Sequence, residues 1–109
     1  MKKKIQTAFL VMLLSSTSVC ALADNSFARG EIIFKKCAGC HGLDGRNKAF
    51  GKSGVIAGQD SADLMESLNF YKESEFKGQG STLVMAKQLK TFSTQDLNDV
   101  VTYVSKLPK

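Results

Sequence analysis

The five residues Cys37-Ala38-Gly39-Cys40-His41 constrain this 109-residue chain more than any other stretch. A domain of this size buries a modest share of its surface and commonly depends on a disulfide, a metal or a cofactor. A bond between two cysteines three positions apart closes only a tiny loop and takes little entropy from the unfolded chain. The core must therefore be completed by something these residues hold.

The chain opens Met1-Lys2-Lys3-Lys4, continues through an apolar run from Ile5 to Leu14 and reaches Ala21-Leu22-Ala23. A basic start, an apolar segment too short to span a bilayer and a small-x-small site are the parts of a secretory signal peptide. Cleavage after Ala23 is expected, with 1–23 removed and one domain over 24–109. Cys20 goes with the leader; its lipidation is disfavoured because Val19, not a small residue, precedes it. Three basic residues leave as well, which takes the formal net charge of +5 down by three, to +2. That weak charge gives no argument for nucleic acid, and no later run is apolar enough to cross a membrane. A soluble, exported, periplasmic protein is expected, as a monomer.

With Cys37 and Cys40 the only cysteines left, the readings of the motif separate on inventory. Structural zinc wants four Cys or His ligands, and only three such residues remain. A thioredoxin-like dithiol sits in a βαβ pattern, and no alternating apolar segment precedes Cys37. A plain disulfide beside a surface histidine stays the bland alternative in an exported chain of this size. C-x-x-C-H is the attachment signal for c-type haem. Two thiols on one tight turn reach two vinyl groups of a porphyrin as thioethers, and the next residue turns its imidazole to the iron. Cys37 and Cys40 are the expected tethers and His41 the expected proximal ligand.

His41 is the only histidine, so a second histidine ligand from the same chain is excluded. A methionine thioether is the usual alternative and favours ferrous iron. Met1 and Met12 lie in the leader, leaving Met65 and Met85. Met65 stands in "DSADLMESLNFYKES", where Asp60 or Ser61 can cap and Leu64, Leu68 and Tyr71 recur at helical spacing, so it reads as a core or face residue. Met85 follows the Gly-rich "FKGQGSTLV", read as a loop able to carry a side chain over the haem. Met85 is the expected sixth ligand. With both axial positions filled, substrate has nowhere to bind, and outer-sphere electron transfer rather than enzymatic catalysis is expected.

The final helix is strongly signalled. In "TFSTQDLNDVVTYVSKLP", Ser93 and Asp96 form a capping box, Phe92 and Leu97 occupy the staple positions, and Leu97, Val100, Val101 and Val104 make one apolar stripe. Lys106 and Pro108 close it. A first helix is expected over about 26–36, where Gly30 is costly unless another backbone comes close. "GRNKAFGKS" is not a nucleotide loop: five residues rather than four separate Gly45 from Gly51, and no strand leads in.

The leader, Gly30-x-x-x-Phe34, C-x-x-C-H, a middle helix, a distal methionine, "GKSGVIAGQ" and a last helix bearing Tyr103 together resemble a small single-haem class I cytochrome c, nearest the bacterial cytochrome c-553 type. The resemblance implies an all-α fold of three to four short helices around one haem c, with the first and last helices crossing where Gly30 and Phe34 meet Tyr103. It implies an electron carrier of the respiratory chain. A quinol–cytochrome c reductase of the bc1 kind would be the donor, and a terminal oxidase or cytochrome c peroxidase the acceptor. Many members orient the proximal histidine with a proline carbonyl, but the single proline here is Pro108, so the partner of the His41 ring is unassigned. Lys48, Lys52, Lys87 and Lys90 flank the ligands and are candidates for a docking face, with Glu73 and Glu75 a small acidic counterpart. The alternative is a five-coordinate haem that senses a gas or has peroxidase-like activity.

Overall fold

The capping box that opens the last helix forms as the sequence predicts. Ser93 Oγ accepts the Asp96 N–H at 3.1 Å, and the Asp96 carboxylate accepts the Ser93 N–H at 2.9 Å. The helix runs Thr94–Ser105 and buries Leu97, Val100, Val101 and Val104. It is the last of five in the computed structural model, which describes residues 25–109; the expected leader over 1–23, with Met1, Met12 and Cys20, lies outside them. In chain order the helices are α1 Ser26–Phe34, α2 Ala38–His41, α3 Ser61–Glu73, α4 Ser81–Leu89 and α5 Thr94–Ser105. Turns of 3-10 helix lie at Ala49–Gly51 and Ser74–Phe76. No strand occurs among the described residues, so the chain is all-α. Four helices have nine or more residues, and α2 is a single turn.

α1 and α5 cross at close range. A Cβ built on Gly30 would lie 2.1 Å from the Asp99 carbonyl oxygen and 2.8 Å from Tyr103 Cβ. The missing side chain lets the two backbones touch, which explains a glycine inside a helix. Around that contact Tyr103 packs between Phe27 and Phe34, with ring centroids 5.1 and 5.5 Å away. The polar side of the crossing is closed by Asp99, which is 1% exposed. Its carboxylate pairs with Arg29 Nε at 3.2 Å and accepts Gln95 Nε2–H at 2.9 Å. A buried carboxylate needs such partners, because leaving it alone costs far more than the pair contributes.

α3 starts at Asp60, whose carboxylate accepts the Ala62 N–H at 2.8 Å, and packs on both α4 and α5. α4 packs on α3 and on the Ser74–Phe76 turn. Here the structure departs from the sequence reading: Met85 is on a helix, not in a loop. Gly80, at φ 61° and ψ −132°, starts α4 without a side-chain cap, so no Ser, Thr or Asp signal marks the boundary. Met65, on α3, packs partly buried against the core, as expected. α1 also stops short of Lys36, at Phe34, because the chain tightens there into the turn that begins α2.

The close approach at Gly30 generates a stability prediction. Gly30→Ala must drive α1 and α5 apart against backbone, and it should cost about 2–3 kcal/mol by chemical denaturation. An unchanged denaturation midpoint would show that the crossing tolerates the extra carbon.

Candidate haem site

The attachment turn is built from α1 outward. α1 ends at Phe34; Cys37 N–H then donates to the Phe34 carbonyl at 2.8 Å, and His41 N–H to the Cys37 carbonyl at 3.0 Å. Cys37, Cys40 and His41 thus leave one helical turn, with Cys37 half-buried and Cys40 exposed. Gly42, at φ 80°, ends the turn and sends the chain into a loop pinned by Ile56 and Ala57 N–H groups, both donating to the Gly45 carbonyl at 3.1 Å. Gly58 N–H donates to the Val104 carbonyl at 3.0 Å, fastening the loop's far end to α5.

These elements enclose a cavity of about 460 Å³, within the ordinary range for small-molecule and cofactor sites. Cys37, Cys40 and His41 line it from the attachment turn, and Met85 lines it from α4. Met65 is not among its lining residues. The remaining wall is largely apolar and includes Phe34, Leu64, Leu89, Val100, Val101 and Val104. Those six also belong to the hydrophobic core, so the cavity lies inside the core rather than beside it. Its lining contains Lys36 and Lys52 and no Asp or Glu.

The side chains fit a haem in chemistry as well as in place. His41 is 8% exposed, and burial lowers its pKa, keeping the imidazole in the neutral form that ligates a metal. Its Nδ1 is enclosed without a hydrogen-bond partner among the described residues. The acceptor left unassigned in the sequence is therefore not found among the described residues. Burial pushes the Cys37 thiol up, the neighbouring Cys40 adds to that shift, and Lys36 partly offsets it. A nucleophilic cysteine needs the opposite shift. Among the described residues no three His, Cys, Asp or Glu side chains cluster as a metal site.

Sequence reasoning missed two features of the site. The α4 helix was hidden by its uncapped glycine start. Phe50, which lines the cavity, carried no signal beyond one aromatic among small and basic residues.

Comparison with known proteins gives the same family. Residues 27–108 match the family described as Cytochrome c. A cytochrome c-553 of Nitratidesulfovibrio vulgaris (strain DSM 19637 / Miyazaki F) is 32% identical over 80 residues, covering 73% of this chain and 78% of that one. A cytochrome c-553 of Helicobacter pylori (strain ATCC 700392 / 26695) is 30% identical over 77 residues, covering 71% and 76%. The cytochrome subunit of sulfide dehydrogenase of Chlorobaculum tepidum is 29% identical over 82 residues, covering 75% and 69%. The chain belongs to the cytochrome c family, as a small class I member with covalently attached haem c and a role in electron transport.

Proposed function

We propose that this protein is a periplasmic single-electron carrier, exported by cleavage after Ala23, with Cys37 and Cys40 as haem thioethers and His41 and Met85 as axial ligands. The observation that carries this reading is the convergence of all four side chains on one core-embedded cavity, with the other candidate methionine outside it. Bound haem c supplies a one-electron iron couple. The work of the chain is to hold that couple still. Cys37 and His41 are fixed by backbone hydrogen bonds of one turn, so the proximal side reorganises little. Met85 is carried on a regular helix rather than a loose loop, which limits the freedom of the thioether. Val100, Val101 and Val104 present an apolar wall that keeps water from the interior.

Since both axial positions are taken by protein, the protein acts as a carrier and not as an enzyme. Family resemblance supports a quinol–cytochrome c reductase of the bc1 kind as donor and a terminal oxidase or cytochrome c peroxidase as acceptor. The Chlorobaculum relative is a subunit of a sulfide dehydrogenase, which adds a dehydrogenase to the possible partner classes. No helix among the described residues is long and apolar enough to cross a membrane, which is compatible with a freely diffusing shuttle. Lys48, Lys52 and Lys87 remain candidates for docking. Lys90 pairs with Glu75, so its charge is committed within the protein.

Two measurements test the reading. Protein matured with haem should give a low-spin c-type spectrum, with the weak near-infrared sulfur-to-iron band in the oxidised form. Met85→Ala should abolish that band and admit carbon monoxide to the ferrous protein. Carbon monoxide binding by the unaltered protein would instead favour the five-coordinate alternative. Electron transfer with an acidic protein partner should slow as ionic strength rises from about 10 mM to 150 mM, because the Debye length shrinks from about 30 to 8 Å. A flat or rising profile would remove the basic docking face.

A further inference from the structure

The turn that follows α5 reaches back across the loop into which His41 leads. His41 is tied to that loop at its own backbone, where its carbonyl accepts the Asn47 N–H at 3.0 Å, and Gly45 N–H donates to the Gly42 carbonyl at 3.1 Å. Residues 42–47 therefore hang from His41 as one closed unit. At its outer end is Gly45, whose carbonyl holds the Ile56 and Ala57 N–H groups. A Cβ built on Gly45 would stand 3.2 Å from Leu107 Cδ1 and 3.3 Å from Ala57 Cβ, so the leucine side chain lies directly on that end.

A second contact falls at Gly58. A Cβ there would stand 2.8 Å from the Leu107 carbonyl oxygen and 2.6 Å from Lys109 Cγ. Leu107 thus meets the loop twice, with its side chain at Gly45 and with its backbone at Gly58. Its own place is fixed from behind: Leu107 N–H donates to the Val104 carbonyl at 3.1 Å, and the side chain packs against the hydrophobic core. Leu107 is not among the residues that line the cofactor cavity. Any effect it has on the site must therefore pass through the loop. The contacts run without a gap from α5 to Leu107, to Gly45 and to the closed unit that carries His41, and close-packed groups of this kind pass on small displacements.

We propose that Leu107 is a positioning residue for the axial histidine: by clamping the loop at Gly45 and Gly58 it fixes the orientation of the His41 imidazole. This deepens the carrier reading and rests on it. A ligand held in one orientation by its surroundings keeps the same geometry in both oxidation states, which is what a carrier requires of its proximal side.

The test uses the haem-loaded protein with Leu107→Ala, and with Leu107→Val, which draws the methyl groups back from Gly45 and keeps most of the apolar volume should the alanine variant fail to mature. Leu97→Val, at a core position of α5 that is 2% exposed and outside the cavity lining, is the control for lost stability. Two properties are read. One is hydrogen exchange at the Asn47, Ile56 and Ala57 amides, whose acceptors are His41 and Gly45, relative to the Val101 amide of α5. The other is the set of haem-methyl proton resonances of the ferric protein, whose spread follows the orientation of the axial ligands. Leu107→Ala should speed exchange at the three loop amides about tenfold relative to Val101, the scale of a lost apolar contact acting on local opening. It should also move the haem-methyl resonances. Leu107→Val should do both to a lesser degree, and Leu107→Met, which keeps the reach to Gly45, should restore the unsubstituted pattern. Leu97→Val should lower the denaturation midpoint and move neither property. Unmoved haem-methyl resonances in the alanine and valine variants at residue 107 would overturn the proposal, leaving Leu107 a packing residue alone. So would an equal movement in Leu97→Val. Failure of the carrier reading itself would show differently, as a high-spin spectrum or absent haem in the unsubstituted protein.

Discussion

The contact on which the rest of this structure depends is the touch of two backbones at Gly30 and Asp99. It brings Phe34 and Tyr103 together, and Phe34 is both the last residue of α1 and the acceptor for the Cys37 N–H. The position of the attachment turn is therefore set by how closely α1 lies on α5. A side chain at residue 30 would push α1 away from α5, and the turn that follows α1 would move with it. Arg29 and Asp99 secure the same crossing from its polar side, where the gain is specificity of register more than energy, since desolvating a carboxylate offsets much of what the ion pair contributes.

The other side of the cavity is held by different means. α4 reaches the core through Ala86 and Leu89 and leans on α3 and the Ser74–Phe76 turn, while α5 makes its main contacts with α1 and α3. Lys90, at the end of α4, pairs with Glu75 in that turn. The partly exposed pair is worth about 1 kcal/mol or less. α4 is thus held chiefly through α3, which also packs on α5 and so ties the two sides of the cavity together.

What could be read from the sequence divides along local and nonlocal lines. The capping box at Ser93 and Asp96 and the valine stripe of α5 were legible because every signal lies within a few residues of its effect. C-x-x-C-H was legible for the same reason: the chemistry is carried by one turn. Gly30 announced a close approach but not what approached, because Asp99 is 69 positions away along the chain and meets it only after folding. The burial of Asp99 had no local sign either, its partner Arg29 lying on another helix. α4 escaped because its start relies on the backbone freedom of Gly80 instead of a side-chain cap.

The same valines and leucines that form the core also line the cavity, and this joins the stability of the protein to its function. Phe34, Leu64, Leu89, Val100, Val101 and Val104 are nearly inaccessible from outside, yet each contributes to the wall of the cofactor site. A chain of this size has too few apolar residues to build a separate core and a separate pocket. Haem c supplies the missing apolar interior and, through its two thioethers, the covalent staple that a single tight Cys37–Cys40 loop could not provide. The rigidity needed to keep the iron's surroundings constant between oxidation states is then the same rigidity that holds the helices together.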